Sequence, residues 1–156
     1  MSINKFSYSD IDSLIYKFDY FIEYNPIINN INFDELVFKA VGCYGSCPIF
    51  DITLKADRRA TFIAIAYNDK TGTFKSKIDK ATFLQILETI NYLNIQSLKE
   101  GYRVGWSDDR TVTLEIKYNN GQVKKITDYG ASGTWGLQNL YNQLYTLRNS
   151  QKWRRF

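Results

Sequence analysis

Both cysteines of this chain lie in one glycine-rich run at residues 42–48, which reads Gly-Cys-Tyr-Gly-Ser-Cys-Pro. Sulfur chemistry, whether redox exchange, metal binding or cross-linking, is therefore confined to that run. A disulfide between Cys43 and Cys47 is feasible in a tight turn, because Gly45 can adopt a positive φ. A thioredoxin-like site would instead need two intervening residues at a helix N-terminus. We interpret the cysteines as structural, either reduced or bridged, with a redox-responsive pair as the alternative.

The 156-residue chain contains no histidine, and this absence excludes several classes of function. Without imidazole there is no Ser-His-Asp or Cys-His nucleophile pair and no side chain with an ordinary pKa near neutrality. Two cysteines cannot supply the four thiolates of a closed zinc site. No phosphate-binding or dinucleotide-binding glycine pattern is present. The sequence therefore predicts a protein that is not an enzyme and that uses no metal and no cofactor.

Aromatic and charged residues are concentrated in an irregular stretch at residues 102–110 and beside the glycine-rich run at 130–133. Indole, carboxylate and guanidinium groups on a connecting loop are typical of binding surfaces. The alternative is that the carboxylates form turns and that the glycines only connect a strand to a helix. We predict a small binding protein that acts by protein–protein contact, of an inhibitor or immunity type. The predicted contact residues are Tyr102, Arg103, Trp106, Asp108 and Trp135.

A second charged segment lies at residues 152–156, which read Lys-Trp-Arg-Arg-Phe. Cationic and aromatic side chains together can bind a phosphate backbone or an acidic partner by charge and stacking. Such a segment can equally follow a helix into solvent. The net charge of +4 is mild and permits nucleic-acid binding without indicating it. A weak nucleic-acid binding module is therefore the third functional hypothesis, after protein binding and redox response.

The elements that must position these residues follow from hydrophobic periodicity in a chain whose composition suits one domain over residues 1–156. Apolar residues spaced by three and four predict an extra N-terminal helix at 8–24, within a unit of helix and connection at 1–30. Strands are predicted at 36–41, 48–55, 61–67, 74–78, 112–118 and 122–129. A helix that Asp79 caps is predicted to run through Leu93. A further helix is predicted at 134–148, followed by a basic aromatic tail at 149–156. The fold class is α+β, an antiparallel sheet built from hairpins with helices packed on one face.

The cysteine run, followed by an alternating strand, resembles the Gly-x-Cys-(Phe or Tyr)-Gly-x-Cys-Pro hallmark of a bacterial family called domain of unknown function 6438. In this chain the first glycine, Gly42, is adjacent to the cysteine. The resemblance extends over residues 36–148 and leaves the predicted N-terminal helix outside it. It implies a bacterial α+β protein, but the family has no assigned activity or site residues to carry over. Many similar proteins are exported or lipid-anchored, where a disulfide would be natural.

The first 24 residues place acidic and basic side chains among the apolar ones, so they contain no uninterrupted signal-peptide core. No stretch of the sequence is long and apolar enough to cross a membrane. We therefore expect a cytoplasmic protein that does not bind a membrane, and export only if a leader precedes residue 1.

Overall fold

A computed structural model describes residues 14–17 and 19–156. Within this part there are ten strands, two α-helices and a short 3-10 turn at Ile95–Ser97. The strands and helices, in chain order, are β1 (Leu14–Lys17), β2 (Tyr20–Glu23), β3 (Phe33–Val41), β4 (Ile49–Lys55), β5 (Arg59–Ala66), β6 (Gly72–Lys77), α1 (Lys80–Tyr92), β7 (Gly101–Arg103), β8 (Thr111–Tyr118), β9 (Gln122–Tyr129), α2 (Trp135–Ser150) and β10 (Arg154–Arg155).

Eight of these strands form one sheet in the order β10-β6-β5-β4-β3-β8-β9-β7, and β1 pairs with β2 in a separate hairpin. Every pairing in the large sheet is antiparallel except that of β7 with β9, which is parallel. The β8–β9 hairpin turns through Asn119, Asn120 and Gly121, all at positive φ. The predicted α+β class with its mainly antiparallel sheet is confirmed.

One face of the sheet carries the hydrophobic core, because alternate side chains of a strand point to the same side. In β3, Leu36, Phe38 and Ala40 are buried while Lys39 and Val41 are exposed. Both helices pack on this apolar face, α1 through Ile86 and Ile90 among others. The α2 stripe consists of Leu137, Leu140, Tyr141, Leu144 and Leu147. The opposite face of the large sheet, which we call the open face, is the more polar one.

Each helix begins at a capped residue. The Asp79 carboxylate accepts a hydrogen bond from the Thr82 N–H at 2.9 Å, as the sequence predicts for this cap. The same bond lowers the pKa of Asp79, because it favours the ionised carboxylate. At α2 the Thr134 hydroxyl accepts from the Leu137 N–H at 3.2 Å. These caps satisfy N–H groups that the first helical turn leaves without partners.

The predicted helix at 8–24 is wrong for the part of it that the structure describes, since β1 and β2 form an antiparallel hairpin there. Residues 8–13 and 18 lie outside the described residues. Short apolar runs rich in isoleucine, tyrosine and phenylalanine can match the repeat of a helix or that of a strand. Tertiary contacts then decide which of the two forms. Here Ile22 is fully buried, and the Glu23 carboxylate accepts a hydrogen bond from the Gly136 N–H at 3.0 Å. The hairpin therefore docks at the N-terminus of α2, where negative charge is favoured.

Two short strands, β7 and β10, lie in segments that the sequence leaves irregular. The segment at 149–156 does not simply follow α2 into solvent, because Arg154 and Arg155 pair with Lys75 and Phe74 of β6. The Trp153 ring packs on Phe62 with centroids 5.3 Å apart, and its Nε1–H donates to the Arg148 carbonyl at 3.0 Å. Strands of two or three residues carry no period of their own, so only the neighbouring strand defines them.

Among the residues that the structure describes, neither helix combines the length and the apolar character that crossing a bilayer requires.

The substitution Trp153→Ala should lower the free energy of unfolding by about 2 kcal/mol, because it removes a half-buried indole and its hydrogen bond. Urea denaturation of the full chain measures this. The matched control is Trp135→Ala, because Trp135 is exposed on α2 and should leave the midpoint nearly unchanged. Equal effects of the two substitutions would contradict the role assigned to Trp153.

Candidate functional site

Four connections leave the large sheet at the same end. The strand register places Arg103, Tyr129, Thr111 and Val41 side by side across β7, β9, β8 and β3. On the other side of β3, Ile49 at the start of β4 lies opposite Ala66 at the end of β5. The segments at 42–48, 67–71, 104–110 and 130–134 therefore lie together where the strands end, and we call this end of the sheet the loop end.

The cysteine turn at 42–48 joins β3 to β4 at the loop end. The Cys43 and Cys47 sulfurs are 1.95 Å apart and their Cα atoms 5.6 Å apart, so the predicted proximity of the pair is confirmed. Between them Gly45 has φ +142°, a conformation that other residues rarely adopt. Tyr44 is 91% exposed at the tip. The turn thus presents an aromatic ring to solvent from a cross-linked base.

The loop at 104–110 holds its tryptophan by hydrogen bonds. The Trp106 Nε1–H donates to the Asp109 carboxylate at 2.8 Å, and the Asp109 backbone N–H donates to the Tyr129 hydroxyl at 3.1 Å. Asp108 adopts a positive φ of 67°, which aspartate tolerates better than most residues. Trp106 nevertheless remains 54% exposed. The indole is therefore oriented by the loop while about half of the residue stays exposed.

The connection from β9 to α2 is organised by a buried carboxylate. Asp128 is fully buried, and its two oxygens accept hydrogen bonds from the backbone N–H groups of Ser132 and Gly133, each at 2.8 Å. Burial of an ionised carboxylate is costly unless such donors compensate it. Burial, together with the charge of Asp128, raises the pKa of the neighbouring Tyr141 phenol. Asp128 thereby fixes the path of the chain into α2.

The same connection is tied to the tryptophan loop at Gly130. This residue has φ +92°, and a Cβ placed on it would come within 2.6 Å of the buried Val104 side chain. Its N–H donates to the Arg110 carbonyl at 2.7 Å. Only glycine satisfies both the conformation and the close approach. The two loops are therefore joined to each other at Gly130.

Beneath these loops lies a tyrosine between two arginines. The Arg110 guanidinium carbon is 5.3 Å from the centre of the Tyr145 ring. Arg148 lies 5.3 Å from the Phe50 ring, which packs edge-on against Tyr145 at 5.1 Å. Burial raises the pKa of Tyr145, and the positive charges of both arginines oppose that rise.

The two arginines lack acidic partners. Neither forms an ion pair with a carboxylate among the described residues, and the buried Nε atom of each has no hydrogen-bond partner there. The Arg148 guanidinium does donate to the Asn68 side-chain oxygen at 2.9 Å. The arrangement can attract a carboxylate or another anion from a partner, since buried guanidinium donors favour such acceptors.

The predicted contact residues take different positions. Arg103, Trp106 and Asp108 are exposed within one continuous stretch at the loop end. Tyr102 is half-buried against the core, its hydroxyl accepts a hydrogen bond from the Lys99 N–H at 3.1 Å, and burial raises its pKa. Trp135 is exposed on the first turn of α2, and no hydrogen bond or ring contact in the described part joins it to the other four. Their role in binding stays a prediction.

Other residues of the loop end were not among the predicted contacts. They are Tyr44, Tyr67, Arg110, Tyr145 and Arg148. Tyr44 has a signal in the sequence, because it stands between the two cysteines. Arg110 belongs to the stretch at 102–110 that the sequence indicates as a binding loop. Tyr145 and Arg148 join it only when α2 packs on the sheet, so no local pattern could have identified them.

No group of three or more Cys, Asp or Glu side chains in the described part of the chain is arranged to hold a metal ion.

A family model described as "Domain of unknown function (DUF6438)" matches residues 34–148. The match includes the cysteine turn, the other three connections of the loop end and most of α2. No curated protein matches the chain.

The substitution Asp128→Ala should lower the free energy of unfolding by about 3 kcal/mol, because it leaves two buried N–H groups without acceptors. Asp128→Asn keeps one acceptor and should cost about half as much. Urea denaturation measures both, and Asp69→Ala is the control, since that exposed loop carboxylate has an ordinary φ and its removal should leave the midpoint nearly unchanged. An Asp128→Ala protein as stable as the control would contradict the role of the buried carboxylate.

Proposed function

We propose that this chain, which belongs to the DUF6438 family, is a non-enzymatic binding protein that contacts another protein through its loop end. The observation that carries the proposal is the exposure of three aromatic rings on three different loops at that end. Tyr44 is 91% exposed, Tyr67 60% and Trp106 54%. Tyrosine and tryptophan contribute more to protein interfaces than most residues.

The loops that carry two of these rings are fixed before any partner arrives. The bonded sulfurs of Cys43 and Cys47 close the turn below Tyr44, and the Asp109 carboxylate orients the Trp106 indole. Binding then orders few additional side chains, which reduces the entropy lost on association. A rigid aromatic surface of this kind supports an inhibitor or immunity-type role, in which one protein covers the functional surface of another.

The guanidinium groups of the loop end support a partner with a projecting carboxylate. Arg103 is exposed, and Arg110 and Arg148 lie without carboxylate partners in the described part of the chain. An acidic side chain inserted between the aromatic rings would reach guanidinium donors in a partly desolvated site. Charge-assisted hydrogen bonds there are stronger than those between neutral groups.

The combined substitution of Tyr44→Ala and Trp106→Ala should weaken binding to the physiological protein partner at least about tenfold, because it removes two aromatic anchors. The partner is first captured from cells of origin with the tagged full chain, and its affinity is then titrated with purified proteins. Val123→Ala is the control, since Val123 is 54% exposed and lies beside the β8–β9 turn, at the opposite end of the strands from the loop end.

A near-stoichiometric companion whose affinity falls with the loop-end variant and not with the control supports the proposal. A companion that binds both variants equally well would place the interface elsewhere. Recovery of no companion at near-equal amounts would count against a protein-binding function.

A redox-responsive turn is the second candidate function, and the proximity of Cys43 and Cys47 next to an exposed tyrosine favours it. Reduction by a cellular dithiol would transfer two electrons and two protons to the disulfide and open the turn. The ring of Tyr44 would then lose its fixed base, so that partner binding would depend on redox state.

Thiol trapping in cells, before and after peroxide treatment, tests this second candidate. A redox-responsive pair should pass from an alkylated dithiol to an unalkylated disulfide, which mass spectrometry reads as two alkyl groups fewer on the chain. A state that does not change under either condition would leave the cysteines structural. The variant with both Cys43→Ser and Cys47→Ser shows whether loss of the cross-link alters partner affinity.

A further inference from the structure

The open face carries a strongly basic groove at the β10 edge of the sheet. The groove has a volume of about 540 Å³ and is bordered by the ends of β4, β5 and β6 and by β10. Six cationic residues border it, namely Lys55, Arg59, Lys75, Lys77, Arg154 and Arg155. All except Arg155, which pairs with the core residue Phe74, belong to the open face. Thr53, Ala60, Thr61, Ser76 and Phe156 complete the lining, and the Ser76 hydroxyl is already bonded to Lys152 and Gln151. Hydroxyl groups and cations of this kind are the side chains that commonly contact phosphate.

Two pairs of like charges face each other directly across neighbouring strands of the groove. Arg59 of β5 lies opposite Lys77 of β6, and Lys75 of β6 lies opposite Arg154 of β10. Like charges in directly opposed positions destabilise a sheet. An anion bound between the strands would remove this repulsion.

The charges on the other half of the open face are neutralised. The Lys117 ammonium is 3.0 Å from the Glu35 carboxylate, an interaction that raises the pKa of Lys117, and Lys39 is 3.6 Å from Asp51. In the groove only Arg59 has a carboxylate within ion-pair distance among the described residues, that of Asp57. The sheet thus has a balanced half and an unbalanced cationic half.

The cationic edge is held in place by the segment that follows α2. The Ser76 hydroxyl donates to the Lys152 carbonyl at 3.0 Å, and the Phe156 N–H donates to the Thr73 carbonyl at 3.0 Å. Phe156 remains 83% exposed beside Lys75, whose ammonium is 3.3 Å from the ring centre. The arginines of β10 are therefore part of a fixed surface.

We propose that this groove binds single-stranded nucleic acid, with the cations contacting successive phosphates and Phe156 stacking on a base. An exposed aromatic ring beside a cationic track is the combination that single-strand binding surfaces use. A duplex would offer its phosphates but no free base face for the ring. An acidic protein would need additional apolar anchors, and the groove lining offers only Phe156 as a large exposed one.

Most of the groove lies away from the loop end, and Phe156, which is bonded to Thr73, is the part of it nearest to that end. Lys55, Arg59 and Lys77 lie at the opposite end of their strands from Ile49 and Ala66. Loss of nucleic-acid binding and loss of protein binding can therefore be produced by separate substitutions, and the failure of one proposal does not entail the failure of the other.

The test is fluorescence anisotropy of the full chain with a labelled oligodeoxythymidine of about 12 nucleotides, a length within the range of known single-strand sites. Binding is titrated at several salt concentrations. Lys75→Gln combined with Lys77→Gln should weaken binding about tenfold and reduce the slope of log affinity against log salt by about 1.4. Lys39→Gln combined with Lys117→Gln removes the same net charge from the balanced half and should leave both quantities nearly unchanged.

Phe156→Ala separates stacking from charge. It should weaken binding about tenfold while the salt slope stays that of the wild type, since base stacking involves no counterion release. Urea denaturation of each variant establishes that the protein is folded.

Three results would overturn the proposal. The first is no binding of the oligonucleotide at low salt. The second is an equal loss with the Lys39 and Lys117 variant, which would mean that net charge alone is responsible. The third is displacement of the oligonucleotide by poly-glutamate or by phosphatidylserine vesicles at equal charge concentration, which would indicate an acidic protein or a membrane surface instead.

Discussion

The Asp128 carboxylate lies fully buried between the sheet and α2, and the arrangement of the loop end depends on it. A carboxylate in this position is stable because the N–H groups of Ser132 and Gly133 replace its water shell. Those bonds turn the chain directly from β9 into α2. The turn brings Gly130 against Val104, and so joins the connection to the loop that carries Trp106. One buried charge thereby links the orientation of a helix to the position of an exposed indole.

The course of α2 from that turn has a second consequence, because the helix packs across the strands on the apolar face toward the β10 edge of the sheet. Near its middle, Tyr145 contacts Phe38 and Phe50 and brings Arg148 close to the start of β4. Beyond its end, Trp153 packs on Phe62 and directs the chain into β10. The position of Arg148 at the loop end and that of Arg154 in the groove therefore both depend on the placement of α2. The two candidate surfaces remain separate because α2 packs on the apolar face, whereas the groove lies on the open face.

Part of the candidate site could be predicted from the sequence. The cysteine run indicated a tight turn between two strands because its glycines and spacing are local properties, and the structure has that turn. The exposed Trp106 could be inferred as a loop residue for the same reason. The cationic positions of Arg110 and Arg148 could not, since they approach Tyr145 only through contacts between residues far apart in sequence. Tyr102 stands in a stretch whose composition is typical of binding loops, yet its side chain packs against the core. This burial follows from the pairing of β7 with β9.

The sequence by itself determined the strands with clear alternation, the two long helices with apolar stripes, the β8–β9 turn and the Asp79 cap. These features depend on period, on turn chemistry and on single hydrogen bonds between near neighbours. Only the tertiary structure decided that residues 14–17 and 20–23 form a hairpin, since Ile22 and Glu23 gain their partners on α1, α2 and the core. The same holds for β7 and β10, which are too short to have a pattern and exist because an adjacent strand offers its backbone groups. It also holds for the basic groove, where cations from three separate segments meet by strand register alone.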